Sequence, residues 1–359
     1  MQSSFPKRHN QTIPFQKENS NNLSRRFSKV LNILVTGGGG FVGRHVIERL
    51  LGLGHKVTSL GRSPQPELKA KGVDLHQIDL ADRQLVSSAC KGMDAVFHVG
   101  AKAGVWGRKQ DFIRANILGT RNVLQGCKEN KVPYLIHTST PSVVFNGKSF
   151  TGQDESLPYG SNWLCHYART KAIAEQEVLS ANSSDGLYTT ALRPHLVWGV
   201  GDPHLLPRVI QRAKQGRLRI VGDGTNQVDI SHVQNVADAH IQALEALRNG
   251  KASGNAYFLS QGEPVQIWDW LNDVLARLGV APVRKKISAR KAYSIGAILE
   301  TFWKTLCLPG EPPMTRFVAV ELSKSHYFSI EAAKRDLAYL PKVTTGKGVE
   351  DFVKETKVT

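Results

Sequence analysis

From Leu31 onward, short β-branched runs alternate with longer stretches whose apolar positions recur every three or four residues, the pattern of βαβ units around a parallel sheet. The spacing predicts strands over Leu31 to Val35, His55 to Leu60, Val73 to Ile78, Ala95 to Val99, Pro133 to His137 and Tyr188 to Leu192. Helices are expected over Phe41 to Leu53, from an N-cap at Asp82, over Phe112 to Glu129, and from about Trp163 to Ala181. The fold class expected is therefore α/β, a Rossmann-type doubly wound parallel sheet. After Arg193 the rhythm breaks, because Gly199, Gly201, Pro203, Pro207, Gly216, Gly222 and Gly224 cut the chain into short pieces, as in a smaller, loop-rich region. Helices return over Val236 to Arg248, Ile267 to Leu278, Ala289 to Leu306 and Ile330 to Leu337, with Pro309, Pro312 and Pro313 marking a linker.

Composition narrows the class. With 41% apolar and 21% charged residues among 359, the chain can bury a real core, which excludes disorder except locally. A net charge of +17 suits a polyanionic ligand, a nucleic acid or an anionic membrane surface. No groove-reading helix or aromatic-basic motif backs the nucleic-acid option, so no nucleic acid is expected as partner. Cys90, Cys127, Cys165 and Cys307 lie far apart, without a CxxC pair or a histidine at ligand spacing. No disulfide framework and no metal are expected, and a reducing cytoplasm fits. The segment from Ala292 to Leu308 is interrupted by Glu300 and Lys304 and is too short to cross a bilayer. Residues 1–28 carry Lys7, Arg8, Lys17, Arg25 and Arg26 without the apolar core of a secretory signal, and read as a flexible basic tail. A transit peptide or an anionic-surface segment is the alternative.

Thr36-Gly37-Gly38-Gly39-Gly40-Phe41-Val42-Gly43 follows the first strand and opens the first helix, the context that gives a glycine fingerprint meaning. Gly37 permits the tight turn, Gly40 lets backbone approach a pyrophosphate, and Gly43 lets helix and sheet pack closely. Amide groups at the helix start would hold the anion. The second strand ends in Leu60-Gly61-Arg62-Ser63, with no acid to accept from a ribose 2′-hydroxyl. Arg62 can pair bidentately with a 2′-phosphate, so NADP(H) is expected over NAD(H), with a solvated loop arginine as the plain alternative. Asp79 reads as an adenine contact or as a helix cap.

Tyr167-Ala168-Arg169-Thr170-Lys171 places Tyr167 and Lys171 one helical turn apart on one face. An ammonium beside a phenol favours the phenolate and would lower its pKa towards the range of a general acid or base. Upstream, His137-Thr138-Ser139-Thr140 brings hydroxyls to the carboxyl edge of the sheet, where open α/β sheets bind ligands.

Joined by Asp79-Leu80, His98-Val99-Gly100-Ala101, Asn116-Ile117-Leu118-Gly119-Thr120 and Leu192-Arg193-Pro194, these motifs resemble the extended short-chain dehydrogenase/reductase family from about Leu31 to Phe352. Ala101-Lys102-Ala103-Gly104-Val105-Trp106-Gly107, Ser139 to Val144 and Leu308 to Phe317 resemble its 3β-hydroxysteroid dehydrogenase branch, and most of all that branch's 2-alkyl-3-oxoalkanoate reductases. The chain departs from the pattern at Ala168, in place of proline, and at Gly100, in place of alanine. The resemblance implies hydride transfer between a nicotinamide C4 and a carbonyl or alcohol carbon. Tyr167 would donate the proton, Lys171 would tune it and hold the nicotinamide ribose, and Thr140 would hydrogen-bond the substrate oxygen, with Ser139 able to take over that role. Cofactor contacts are implied at Gly37, Gly39, Gly40, Phe41, Val42, Gly43, Arg62, Ser63, Asp79, Leu80, Gly100, Ala101, Lys102, Asn116, Thr138, Tyr167, Lys171, Pro194, Leu196 and Val197.

The organisation expected is a tail over 1–28, an NADP-binding Rossmann domain mainly over 29–195, and a substrate-binding region mainly over 196–359, some of whose segments return to the sheet. The expected reaction is reduction of the 3-keto group of a 2-alkyl-3-oxoalkanoate, a lipid-like carbonyl substrate. A sterol 3β-dehydrogenase, a dihydroflavonol-type reductase and a non-catalytic NADP-sensing protein stand as alternatives, and a homodimer is usual for the family. Lys102, with Arg108 and Arg193 as substitutes, is the candidate for a substrate carboxylate, and Trp106 for the floor of an acyl pocket. His195 reads as a packed histidine or a substrate contact. Arg284-Lys285-Lys286, followed by an apolar helix with Phe302 and Trp303, has the composition of a peripheral membrane element, a substrate lid or a packed helix.

Overall fold

The computed structural model describes residues 29–183 and 185–358, so the basic tail expected over 1–28 lies outside the described residues. Seven parallel strands form the central sheet: β1 (Asn32–Thr36), β2 (Lys56–Gly61), β3 (Asp74–Gln77), β4 (Ala95–His98), β5 (Tyr134–Thr138), β6 (Tyr188–Pro194) and β7 (Ala256–Leu259). Their spatial order is β7-β6-β5-β4-β1-β2-β3. The order turns back between β1 and β4, and such a switch leaves a crevice outside the carboxyl ends of the strands. Register sets Thr36 beside His98, His98 beside His137, and Thr138 beside Leu192, so those carboxyl ends line up along one edge.

Both faces of the sheet are covered. Ile33, Val35 and Phe97 pack with Val46, Ile47 and Leu50 of the helix Phe41–Gly52 and with Ile241 and Leu244 of the helix Val233–Arg248. Leu34, Val96 and Leu135 face the other way, against Val86, Val123 and Val178. Strands buried on both faces read as apolar runs rather than as alternating ones, which is why they stand out in the sequence. Asp82 caps the helix Arg83–Ala89 by accepting from the Leu85 amide at 3.1 Å.

A second core gathers Trp198, Trp268, Trp270, Leu271 and Val274. Beside it lies a four-stranded sheet of Phe150–Gln153, His326–Phe328, Gln227–Val228 and Val265–Gln266. The structure adds elements that periodicity does not signal. β7 is only four residues long, and the helix Leu205–Lys214 forms in spite of Pro207. Proline is tolerated there because amides in a first helical turn have no intrahelical partner to lose. Cys90, Cys127, Cys165 and Cys307 are all free thiols. Among the described residues no helix is long and apolar enough to cross a membrane.

Candidate active site

The turn after β1 is held by close backbone contact. Gly37 adopts φ +70° and donates its amide to the Leu60 carbonyl at 2.7 Å. A Cβ on Gly37 would lie 2.6 Å from the Cα of Gly100, and one on Gly43 would run into the Gly37 carbonyl oxygen. Gly100 has the same reason to stay bare, since its own Cβ would stand 3.1 Å from Thr36 Oγ1 and from Leu80 Cδ1. Gly40 opens the helix in an extended conformation, without a side-chain cap and with no acid in the first turn. Its amides and the positive end of the helix dipole are left facing the crevice, which fits a pyrophosphate.

A cleft of about 980 Å³ runs along this edge. Gly37, Gly39, Gly40, Phe41, Val42, Gly43, Arg62, Ser63, Asp79, Leu80, Gly100, Ala101, Lys102, Thr138, Thr140, Tyr167, Lys171, Pro194, Leu196 and Val197 all line it. Leu196 holds a left-handed φ of +41°, a strained conformation for a leucine, at the rim. Ser139 and Arg44 also line the cleft. Arg44 lies in the first turn of the glycine-loop helix, 3.0 Å from Glu67, and the sequence reading missed it because the residue after Gly43 carries no motif of its own. Asp79 is already engaged. It accepts from the Ala81 amide at 2.9 Å and from Arg114 at 3.1 Å, and these bonds hold its carboxyl below the usual range.

Three expected contacts lie away from the cleft, His195 in the packed alternative given for it. Asn116 does not line the cleft. It is buried, accepting the Lys102 amide at 2.7 Å while its own amide donates to the Lys102 carbonyl at 3.1 Å and to Thr170 Oγ1 at 3.0 Å. It pins the Ala101 to Gly107 loop to the helix His166–Ser180. His195 is likewise turned away from the cleft. It is buried, and its Nε2 lies 2.6 Å from Nδ1 of His326, whose Nε2 reaches the Glu321 carbonyl at 2.8 Å. The ligand atoms of His195, Glu321 and His326 lie within 4.8 Å of one another, but the two imidazoles spend their facing nitrogens on each other. Arg193, a substitute for binding a substrate carboxylate, is sealed in an ion pair with Glu175.

Tyr167 and Lys171 share one face of the helix His166–Ser180, as their spacing requires. Lys171 is itself buried and engaged on the sheet side. Its amine donates to the Thr138 carbonyl at 2.6 Å and meets His137 Nε2 at 3.1 Å, and burial brings its pKa down to about 7. Burial also pushes the Tyr167 hydroxyl up to about 12, against a smaller downward pull from its hydrogen bond with Thr140. Tyr167 is therefore protonated throughout the neutral range, and Lys171 gains its charge as pH falls through about 7. Beneath them lies a layer of buried neutral histidines. His98 is held between Thr36 and Thr120, His240 reaches Thr138 Oγ1 at 2.7 Å, and His137 leaves Nδ1 without a partner among the described residues. Burial depresses all three, His98 to about 3 and His240 to about 4.

Residues 34–288 match the model of the 3-beta hydroxysteroid dehydrogenase/isomerase family. The chain belongs to that family. It is 49% identical over 323 residues to a 2-alkyl-3-oxoalkanoate reductase of Stenotrophomonas maltophilia, covering 89% of this chain and 97% of the relative. It is 33% identical over 341 residues to the mouse sterol-4-alpha-carboxylate 3-dehydrogenase (decarboxylating), covering 92% of each. The structure of MoeE5 in complex with UDP-glucose and NAD superposes with a TM-score of 0.70 at 24% identity, over 91% of this chain and 99% of that one, and so shares the fold. As a member of the family, the chain is a nicotinamide-dependent oxidoreductase.

A second cleft of about 1590 Å³ lies beyond the Lys102 loop, with walls too scattered along the sequence to be signalled by any one motif. Trp106, expected as a substrate contact, lines this cleft and not the first, together with Val105, Trp163, Leu164, Trp303 and Leu308. The two clefts share Arg108 and Asp111, at the far end of the Lys102 loop.

Proposed function

We propose that this chain uses NADPH to reduce the 3-keto group of a 2-alkyl-3-oxoalkanoate to the 3-hydroxy acid. The observation that carries the reading is the convergence of the glycine turn, Arg62, Lys102 and the Thr140, Tyr167, Lys171 set on one cleft, in a chain so similar to the Stenotrophomonas reductase. A bound reduced nicotinamide would supply the hydride to the carbonyl carbon, whose π pair moves onto oxygen. Amides at the start of the helix Phe41–Gly52 would take the pyrophosphate, and Arg62 with Ser63 and Arg44 would take the 2′-phosphate. Lys171, which lines the same cleft, would leave the Thr138 carbonyl to hold the nicotinamide ribose. Thr140 donates to the substrate oxygen, and Tyr167 delivers the proton that completes the alcohol.

Lys102 supplies the cation for the substrate carboxylate. Its ammonium lies 5.3 Å from the Phe112 ring centroid and 3.8 Å from Asp111, a loose pairing that leaves it donors to spare. The alkyl tails fit the second cleft, where Trp106, Trp163 and Leu308 offer apolar wall.

Arg62→Ala is expected to raise the NADPH constant by about ten- to a hundredfold and the NADH constant far less, since a charged hydrogen bond contributes about 1.5–3 kcal/mol. Steady-state kinetics with both cofactors checks this, and equal losses would remove Arg62 from the 2′-phosphate. The substrate reading is tested by NADPH oxidation with a 2-alkyl-3-ketoacid, its methyl ester, a 3-ketosteroid and a dihydroflavonol. Lys102→Met should cost the acid more than about tenfold in kcat/KM, or about 1.4 kcal/mol, and the ester little. Equal wild-type rates on acid and ester would reject carboxylate recognition, and preferred turnover of the steroid would put the sterol reading in its place.

A further inference from the structure

Gln65 ties the glycine turn to the end of β2. It stands between Pro64 and Pro66 at the start of the helix Pro66–Ala70, where the two proline rings restrict its backbone. Its Oε1 accepts from the buried hydroxyl of Ser59 at 3.0 Å. Ser59 and Gly61 lie two residues apart on one face of β2, so the carboxamide runs along that face with its oxygen at Ser59 and its nitrogen over Gly61. A Cβ on Gly61 would run into Nε2 of Gln65, and one on Gly39 would lie 3.0 Å from the same atom. Neither glycine holds a left-handed φ, so what a side chain at either position would take away is the room that Gln65 fills.

That nitrogen lies where the end of β2 meets the glycine turn, on the wall of the first cleft beside Arg62 and Ser63. Among the described residues Nε2 has no acceptor. The amide and carboxylate oxygens of this part of the cleft are engaged: Oε1 of Gln65 by Ser59, Glu67 by Arg44 at 3.0 Å, and Asp79 by the Ala81 amide and Arg114. Donors are left over here and such acceptors are not. A phosphate monoester only accepts, whereas a ribose hydroxyl also has a proton to place. We propose that Gln65, locked by Ser59, is a specificity-determining residue for the cofactor: Nε2 donates to the 2′-phosphate, and the locked orientation withholds the oxygen that a 2′-hydroxyl would need. The proposal rests on the NADPH reading above and gives it a second part. Arg62 is exposed and supplies charge, while Gln65 is half-buried and supplies direction.

Calorimetric titration of the full chain with adenosine 2′,5′-bisphosphate and with 5′-AMP tests it, because the two differ only in the 2′-phosphate and neither needs turnover. Gln65→Met keeps the stem and loses the amide, and should weaken the bisphosphate about tenfold and 5′-AMP less than about twofold. Gln65→Glu sets a carboxylate against the phosphate and offers a ribose hydroxyl its acceptor, so the preference for the bisphosphate should fall at least about a hundredfold. Ser59→Ala leaves Gln65 in place but free to turn over, should lower the preference by a smaller factor, and carries the test if a Gln65 variant does not fold. A preference unchanged in Gln65→Met but lowered in Arg62→Ala overturns the role of Gln65 and spares the NADPH reading. Wild-type protein that binds both nucleotides alike overturns that reading and the role of Gln65 with it. A Gln65→Met loss larger for 5′-AMP than for the bisphosphate also overturns the proposal, since it would mean that the carboxamide meets the ribose with its oxygen.

Discussion

Tyr167→Phe is expected to lower kcat for ketone reduction by roughly 10²- to 10⁴-fold, equivalent to about 2.7–5.5 kcal/mol of barrier, while cofactor affinity stays within about twofold. The ring remains, so packing in the cleft wall is conserved, and only the hydroxyl is lost. That hydroxyl is held near 12 by burial, so it gives up its proton only to an oxygen that has become strongly basic, which is what the carbonyl oxygen becomes as hydride arrives at its carbon. Thr140 is hydrogen-bonded to Tyr167 in this structure and would turn its single proton to the substrate oxygen. Lys171 cannot substitute, because its amine is drawn to the Thr138 carbonyl and His137 at the end of β5. Single-turnover measurement with saturating cofactor separates the chemical step from product release. Near-wild-type chemistry in the phenylalanine variant would sink the assignment of Tyr167 as proton donor.

The sheet and the cofactor edge were legible because each is written in contiguous residues. β1, β2, β4, β5 and β6 are mainly buried runs, whereas the edge strand β3 is polar and mostly exposed and is bounded only by Val73 and Ile78; the glycine turn, the hydroxyl run after β5 and the Tyr167 to Lys171 spacing are each complete within a few positions. β7 was not legible, since Ala256–Leu259 is too short to show a period and becomes a strand only through pairing with β6, more than sixty residues earlier. The second cleft was hidden for the same reason. Its walls come from the Val105 to Asp111 loop, the Ser161 to Arg169 segment and the Ala297 to Arg316 region, which nothing local connects. Asn116 and His195 show the limit of reading a role from a neighbourhood. Both lie within a few residues of the cleft in sequence, yet one side chain turns to hold the Lys102 loop and the other to His326. The depressed amine of Lys171 was equally out of reach, because it follows from burial against His137 and not from the spacing to Tyr167.

Arg193→Met is expected to destabilise the fold by about 3–5 kcal/mol, the cost of leaving its partner carboxylate buried and unpaired. The side chains of Arg193 and Glu175 are 3% and 0% exposed, joined through Nε at 3.1 Å to both carboxylate oxygens and through Nη2 at 2.5 Å. Tyr159 donates its hydroxyl to the same carboxylate at 2.8 Å, and the guanidinium sits 5.0 Å from the Phe258 ring centroid, so β6, β7 and the helix His166–Ser180 all meet at this pair. Removing the guanidinium strips the carboxylate of its charge partner at a place water does not reach. Removing both charges does not, so Arg193→Met combined with Glu175→Gln should recover most of the loss while still accepting the Tyr159 hydrogen bond. Thermal and urea unfolding of Arg193→Met, Glu175→Gln and the double variant measures the cycle, and an Arg193→Met loss below about 1 kcal/mol would mean that the pair is not the anchor its burial implies. The same variant separates anchor from recognition. At a temperature where Arg193→Met remains folded, its rate ratio on acid and ester should match the wild type, because the buried guanidinium never reaches the substrate, whereas Lys102→Met should collapse that ratio.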